Sequence, residues 1–320
     1  MHVFIAGATG AVGRSLTTLL IEHGHTVTGT TRSRARADEL RALGAEPVVV
    51  DGLDRAGMID AVAAASPDAV VHQMTALGGG IDLRRFARSF EMTNRLRTEG
   101  TDHLLEAARR AGVERVIAQS YTGHQYLRTG GPVKAEDDPK DLDPPAQLRS
   151  TIEAIGHVER TVTAAGGVVL RYGGFYGPHS GMTPGAEQWE MIRARKVPIV
   201  GDGGGVWSFT HVEDAAGAVL AALDHWTPGE IYNVVDDDPS PVRVWLPEAA
   251  RIIGAPPPRH VPRWVGRLMG EHIVVMMCEL RGSSNAKAKE RLGWEPRWPT
   301  WRDGFAALAR AERLEAAVAA

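Results

Sequence analysis

Val3-Phe4-Ile5-Ala6-Gly7-Ala8-Thr9-Gly10-Ala11-Val12-Gly13 runs from a short apolar segment into three glycines spaced G-x-x-G-x-x-G, and on into a segment of helical period. Glycines suit such a turn because it is tight, because a pyrophosphate must approach its backbone, and because the helix must pack closely on the strand. The spacing therefore predicts a buried strand, a dinucleotide-binding turn and a helix whose first N–H groups face phosphates, aided by the helix dipole. Gly7, Thr9, Gly10, Ala11, Val12 and Gly13 are the first candidate cofactor contacts. A plain structural turn is the alternative.

Outward from that turn, Val/Ile-rich runs at 2–6, 26–30, 47–50, 69–72, 114–118 and 167–171 alternate with helical periods at 12–23, 34–43, 55–65, 84–111 and 150–165. Apolar strands alternating with helices imply an α/β, doubly wound parallel sheet of Rossmann type, with a ligand crevice at the carboxyl ends of the strands. The second strand ends Thr28-Gly29-Thr30-Thr31-Arg32-Ser33, with no carboxylate before Asp38. An NAD site usually places Asp or Glu there, whereas an arginine suits a 2′-phosphate. Arg32, with the hydroxyls of Thr31 and Ser33, thus favours NADP over NAD.

The 320 residues carry 36 Lys+Arg against 39 Asp+Glu, for a net charge of −3, and one cysteine, Cys278. No concentrated basic face speaks for nucleic acid. A single cysteine makes no internal disulfide, and no apolar run reaches the ~18 residues of a membrane span. The first residues read as a strand, not a signal peptide. The expectation is a cytoplasmic protein that handles a small molecule. All eight tryptophans lie at or after Trp189, and prolines crowd the same end, so the back of the chain differs in kind from the front.

The sequence resembles the extended short-chain dehydrogenase/reductase family, also called the NAD-dependent epimerase/dehydratase family. The resemblance rests on the glycine turn, Asp51, Val70-Val71-His72, Gly100-Thr101 with Leu104-Leu105-Glu106-Ala107-Ala108, and Val116-Ile117-Ala118-Gln119-Ser120. It continues through Leu170-Arg171 with Tyr176-Gly177-Pro178, Phe209-Thr210-His211-Val212-Glu213-Asp214 and Tyr232-Asn233-Val234. It implies that Asp51, with Gly52 and Leu53, meets the adenine, and that His72, Gln73 and Met74 lie along the nicotinamide ribose. Tyr172 or Phe175 would stack near the carboxamide end of the cofactor, and Ser120, also a cofactor contact, stands with Thr122 nearest the position of the family's catalytic Ser or Thr. A smaller, discontinuous substrate domain is implied at about 174–204, 239–280 and 296–320. The cofactor domain would then span 1–173, about 205–238 and 281–295, with His211 tying the two together. Frequent dimers in the family point to a homodimer.

The chain departs from the family where the chemistry is done. Family members place a Tyr-x-x-x-Lys pair on the helix before Leu170-Arg171, the lysine lowering the tyrosine pKa so that the phenol serves as acid or base. Aligned on Glu159, the pair falls on Thr151 and Ile155, and no Tyr or Lys stands between Asp141 and Arg171. The loop Ser120-Tyr121-Thr122-Gly123-His124-Gln125-Tyr126 offers replacements. Tyr121, Thr122 and His124 are the candidate catalytic groups, and Met74, Tyr126, Tyr176, Met182 and Trp189 the candidate substrate contacts. Gly78-Gly79-Gly80, with Asp82, Arg84 and Arg85, reads as a lid or a plain connection. No metal-ligand cluster is present in the pattern. The leading reading is an NADP-dependent oxidoreductase or epimerase-like enzyme acting on a small carbonyl or hydroxyl compound. A non-catalytic NADP-binding regulator, and a lyase or isomerase on the same fold, stay open beside it.

Overall fold

The computed structural model describes residues 1–78, 82 and 85–319. Gly79, Gly80 and Arg84 of the expected lid lie outside them. Seven parallel strands form one sheet: β1 (His2–Ala6), β2 (Thr26–Thr31), β3 (Glu46–Val49), β4 (Ala69–His72), β5 (Arg115–Tyr121), β6 (Val168–Tyr172) and β7 (Ile231–Val234). Their order is β7-β6-β5-β4-β1-β2-β3. The chain moves outward from β1 to β3 and then crosses back to β4, so the order reverses between β1 and β4. The ligand crevice of a doubly wound sheet opens at that point.

β1 shows why both faces must be covered. Val3 and Ile5 belong to a core formed with α1 (Ala11–Glu22), whereas Phe4 and Ala6 belong to a second core behind the sheet. Each of the four is inaccessible to solvent, which accounts for a strand apolar at every position. The other front helices are α2 (Arg34–Ala42), α3 (Arg55–Ala65), α4 (Phe86–Arg97), α5 (Glu99–Arg110) and α6 (Ala146–Ala164).

Three boundaries differ from expectation by three residues or more, the first being α6, which starts at Ala146, four residues before the expected 150. The period over 84–111 is two helices, because Thr98 leaves helical geometry (φ −97°, ψ −83°) and its hydroxyl donates back to the Asn94 carbonyl at 3.0 Å. β5 runs to Tyr121, three residues beyond its expected end.

The tryptophan-rich end builds a separate core. Tyr176 and Met182 meet Trp189 and Ile192 on α7 (Glu187–Arg193), followed by Phe209; α8 (Val212–Asp224) returns to the sheet against α1; and α9 (Val242–Ile252) then adds Trp245 and Leu246. Trp301 and Phe305, on the helix Trp301–Ala319, close it. His211 stands at the junction: its Nδ1 accepts the Glu213 N–H at the start of α8, and its ring lies 5.0 Å from both Tyr176 and Trp298. No helix among the described residues is long and apolar enough to cross a membrane.

Candidate active site

The glycine turn is fixed by crowding. Gly7 adopts φ +92°, and a Cβ there would stand 2.7 Å from the Gln73 carbonyl oxygen; one on Gly13 would stand 2.4 Å from the Gly7 carbonyl oxygen. Only glycine lets β1, α1 and the end of β4 meet this closely. The first helical hydrogen bond of α1 runs from Arg14 N–H to the Gly10 carbonyl, and the N-cap is Gly10, without a capping side chain. The N–H groups of Ala11, Val12 and Gly13 therefore have no acceptor within the helix, and no acidic residue sits in its first turn. Thr9 is half-buried and its carbonyl accepts from Arg14 Nε at 3.1 Å.

At the end of β2 the Thr31 hydroxyl is buried and accepts the Ser33 N–H at 3.2 Å, so it shapes the turn. Arg32 is exposed, and it lines one shallow groove with Asp51. The Asp51 carboxylate accepts the Leu53 N–H at 2.9 Å. Asp38 and Glu39, the first carboxylates after Arg32, are engaged by Arg41 and Arg14.

Several side chains singled out in the sequence turn away from the crevice. His72 is buried; its Nδ1 accepts the Met74 N–H, and its Nε2 lies 3.1 Å from the Thr101 hydroxyl and 3.3 Å from the Leu96 carbonyl. Burial pushes its pKa down to about 4, so the ring is a neutral internal tie. The Met74 thioether fills core space against Gly52. Ser120 donates to Glu159 at 3.0 Å, and Thr122 is paired with the Ser283 hydroxyl. Tyr126 donates to Asn233 and accepts from Arg171. Tyr172 is wholly buried with its hydroxyl toward the Ala215 carbonyl, and the half-buried Phe175 packs 5.2 Å from it. Tyr176, Met182 and Trp189 lie inside the second core, where packing consumes them.

A compact polar group does remain at the carboxyl ends of β4 and β5. Tyr121 and His124 stand with ring centroids 5.4 Å apart, and Phe86 meets the His124 ring edge-on at 6.1 Å. Burial pushes Tyr121 up to about 12, so it is a neutral O–H; burial, then the charges of His272 and Arg97, push His124 down to about 4. Among the described residues, both amide atoms of Gln73, Nδ1 of His124, and Nε and Nη1 of Arg97 are buried without a hydrogen-bond partner. Buried polar groups are nearly always satisfied, so these atoms are available to water or to a bound ligand.

Sequence reasoning missed Arg97. Its signal was positional: Thr93, Leu96, Gly100 and Thr101 are the inward-facing residues around it, and an arginine on that stripe is out of character.

On α6, the two positions that the resemblance assigns to the acid-base pair are core. Thr151 accepts from Asn94 Nδ2 at 3.2 Å and Ile155 is 1% exposed.

Residues 3–235 match the sequence profile of the NAD dependent epimerase/dehydratase family. The chain belongs to that family. It is accordingly an NAD(P)-dependent enzyme. Over 314 residues, 95% of this chain and 99% of the relative, it is 42% identical to a 3-diazoavenalumate denitrifying reductase of a Streptomyces species. It is 26% identical to the UDP-glucose 4-epimerase of Mycolicibacterium smegmatis, covering 92% and 94% of the two chains. The UDP-glucose 4-epimerase of Thermus thermophilus, solved with NAD, shares the fold at a TM-score of 0.73 and 23% identity, over 98% of this chain and 99% of that one.

The residues present fit an epimerase/dehydratase-family dinucleotide. The turn would be filled by any Cβ at Gly7 or Gly13, the start of α1 is uncapped, and Gln73 beside the turn has an unused amide.

Proposed function

We propose that this protein is an NADPH-dependent reductase that passes hydride to an aromatic diazo compound, with loss of dinitrogen. The observation that carries the reading is the burial of Thr151 and Ile155 where the family's acid-base pair would stand, with Tyr121 and His124, the nearby candidates, held away from a poised pKa. A carbonyl reductase must protonate the oxyanion that hydride delivery creates. An aryl diazonium needs no such proton: hydride brings two electrons and one hydrogen, the carbon–nitrogen bond breaks, and N2 leaves as a neutral molecule. A site for that reaction can lose the tyrosine and lysine without losing the reaction. The relative at 42% identity is named for a diazo substrate and for denitrification, which supports the same class.

The cofactor, when bound, supplies the hydride. The chain's own groups would hold and orient: the turn of Gly7 to Gly13 around the pyrophosphate, Arg32 on a 2′-phosphate, and Gln73 near the ribose. Tyr121 would stay protonated and donate one hydrogen bond, and His124 would stay neutral. Closed over a flat substrate, Phe86 and the Tyr121 and His124 rings would exclude water.

Diazotised 3-amino-4-hydroxycinnamate, mixed with the protein and NADPH, should consume NADPH and release N2, and deuteride from labelled NADPH should end on the ring carbon that carried the nitrogen. Turnover of 3-oxo acids or UDP-glucose instead, with the diazo compound untouched, would refute this reading in favour of Tyr121-assisted carbonyl chemistry.

Two further results are expected. Arg32→Ala should raise the KM for NADPH by about 10- to 100-fold, the worth of a charge-assisted phosphate contact, and change that for NADH by no more than about 3-fold. A smaller loss for NADPH, or an equal loss for both, would remove the 2′-phosphate assignment. The second concerns pH. Since His124 titrates near 4 and Tyr121 near 12, neither changes charge between pH 5.5 and 7.5, and kcat/KM should be level across that window. A bell with a limb near neutrality would show a poised acid or base at work and count against the proposal.

A further inference from the structure

We infer that Arg97 is the binding point for an anionic oxygen pair on the substrate, a carboxylate or phenolate attached to a flat aromatic ring. The guanidinium sits on the last turn of α4, is 7% exposed, and has Nε and Nη1 without partners among the described residues. Among the described residues no carboxylate is ion-paired with it. The carboxylate in its electrostatic reach is Glu159, which already takes two hydrogen bonds from Arg171, at 2.7 and 2.9 Å, and a further contact from Lys140. A buried cation without a counter-charge is costly, and chains retain one where a ligand supplies the missing charge.

The neighbours define the shape of that ligand. Tyr121 and His124 lie within the field of Arg97, and with Phe86 they bring three rings to the same end of β5. Phe90 stacks behind Phe86 at 4.4 Å. A planar fork beside aromatic walls matches the two oxygens of an aromatic acid better than a sugar or a neutral ketone. Among the described residues the acidic side chain acting on Arg97 is Glu159, so a second cation would be repelled and an anion drawn in. The choice of an aromatic acid as the probe rests on the reductase reading; the anion site itself does not.

The test uses the protein loaded with NADP+ and titrated calorimetrically with 4-hydroxycinnamate or its methyl ester, so that no turnover is needed. Wild type should bind the acid at least about 10-fold more tightly than the ester, and Arg97→Met should abolish that preference while keeping the Kd for NADP+ within about 2-fold. Arg97→Lys should retain part of it. The ligand-free Arg97→Met protein should melt at the same temperature as wild type or higher, because a buried charge with no ion-paired carboxylate among the described residues has been removed.

Three results would overturn the assignment: equal binding of acid and ester by wild type; weakened NADP+ binding in Arg97→Met with the acid preference intact, which would give the guanidinium to a cofactor phosphate; or a lowered melting temperature, which would make it structural. Acid preference without any diazo turnover would sustain the anion site and dismiss the proposed reaction, so the two claims fail separately.

Discussion

Replacing Glu159 by alanine should destabilise the protein by about 3–5 kcal/mol, the largest loss expected from any single polar side chain here. Glu159 and Arg171 are 2% and 1% exposed and face each other across α6 and β6, joined by two parallel hydrogen bonds. Glu159 also accepts the Ser120 hydroxyl, and Arg171 spends its remaining Nη1 on the Tyr126 hydroxyl and the Glu136 carbonyl. Alanine at 159 would strand a guanidinium in the interior, with Lys140 now adding repulsion. The penalty is therefore that of an orphaned charge and exceeds the net worth of the pair. A double change to Glu159→Leu with Arg171→Met should recover most of the loss, because matched apolar groups leave nothing unpaired.

The same pair makes a statement about pH. Burial alone would raise the Glu159 pKa, but the Arg171 guanidinium, with help from Lys140, outweighs it and holds the carboxyl below its usual range. A depressed carboxylate contributes stability that is complete above its unfolded pKa and disappears as pH falls through the folded one. Urea melts of wild type should therefore weaken as pH drops below about 4.5, and the Glu159→Ala variant should show less of that decline. Parallel declines would mean that the pair contributes nothing to acid sensitivity.

This network also explains which parts of the site could be read from the chain alone. β1, its turn and α1 are local: apolar run, glycine spacing and helical period all fall within two dozen residues, and each demands the same geometry. The loop after β5 is not local. Which of its residues face substrate depends on where the strand ends, and β5 extends to Tyr121. Successive residues of a strand point to opposite faces, so Ser120 goes to Glu159, 39 positions away, and Tyr121 goes to the other side. Nothing in Ser120-Tyr121-Thr122 announces that phase. The aromatic candidates failed for a related reason. Met182, Trp189 and Tyr176 are apolar enough to line a pocket, but the tryptophan-rich end needed a core of its own, and they were used in building it. Arg97 escaped because its place on the inward-facing stripe shows only once α4 and α5 are phased, and its lack of partners only in the structure.

Gly13→Ala and Gly10→Ala should separate the two duties of the glycine turn, and the first should be close to total in effect. A Cβ at Gly13 would lie 2.4 Å from the Gly7 carbonyl oxygen and 2.8 Å from Ala8 backbone atoms. These are backbone contacts, with no flexible side chain to give way, so α1 would have to lift off β1. α1 carries Leu16 and Leu20 into the main core, and moving it opens a cavity as well as displacing the N–H groups of Ala11 and Val12. The cost should be about 2–4 kcal/mol, with dinucleotide binding reduced at least 100-fold. Gly10 is different. It has φ −75° and ψ 173°, which any residue adopts, and a Cβ there would meet just the Gly7 carbonyl, at 3.4 Å. Gly10→Ala should therefore melt within about 1 kcal/mol of wild type. If the exposed Gly10 is kept free so that a pyrophosphate can approach the backbone, its alanine variant should still lose 10-fold or more in NADPH affinity. Calorimetric titration and thermal melts on the two variants give the answer. Normal affinity in Gly10→Ala would mean that the middle glycine serves the turn and not the phosphates, and the pyrophosphate would then have to be held from α1 alone.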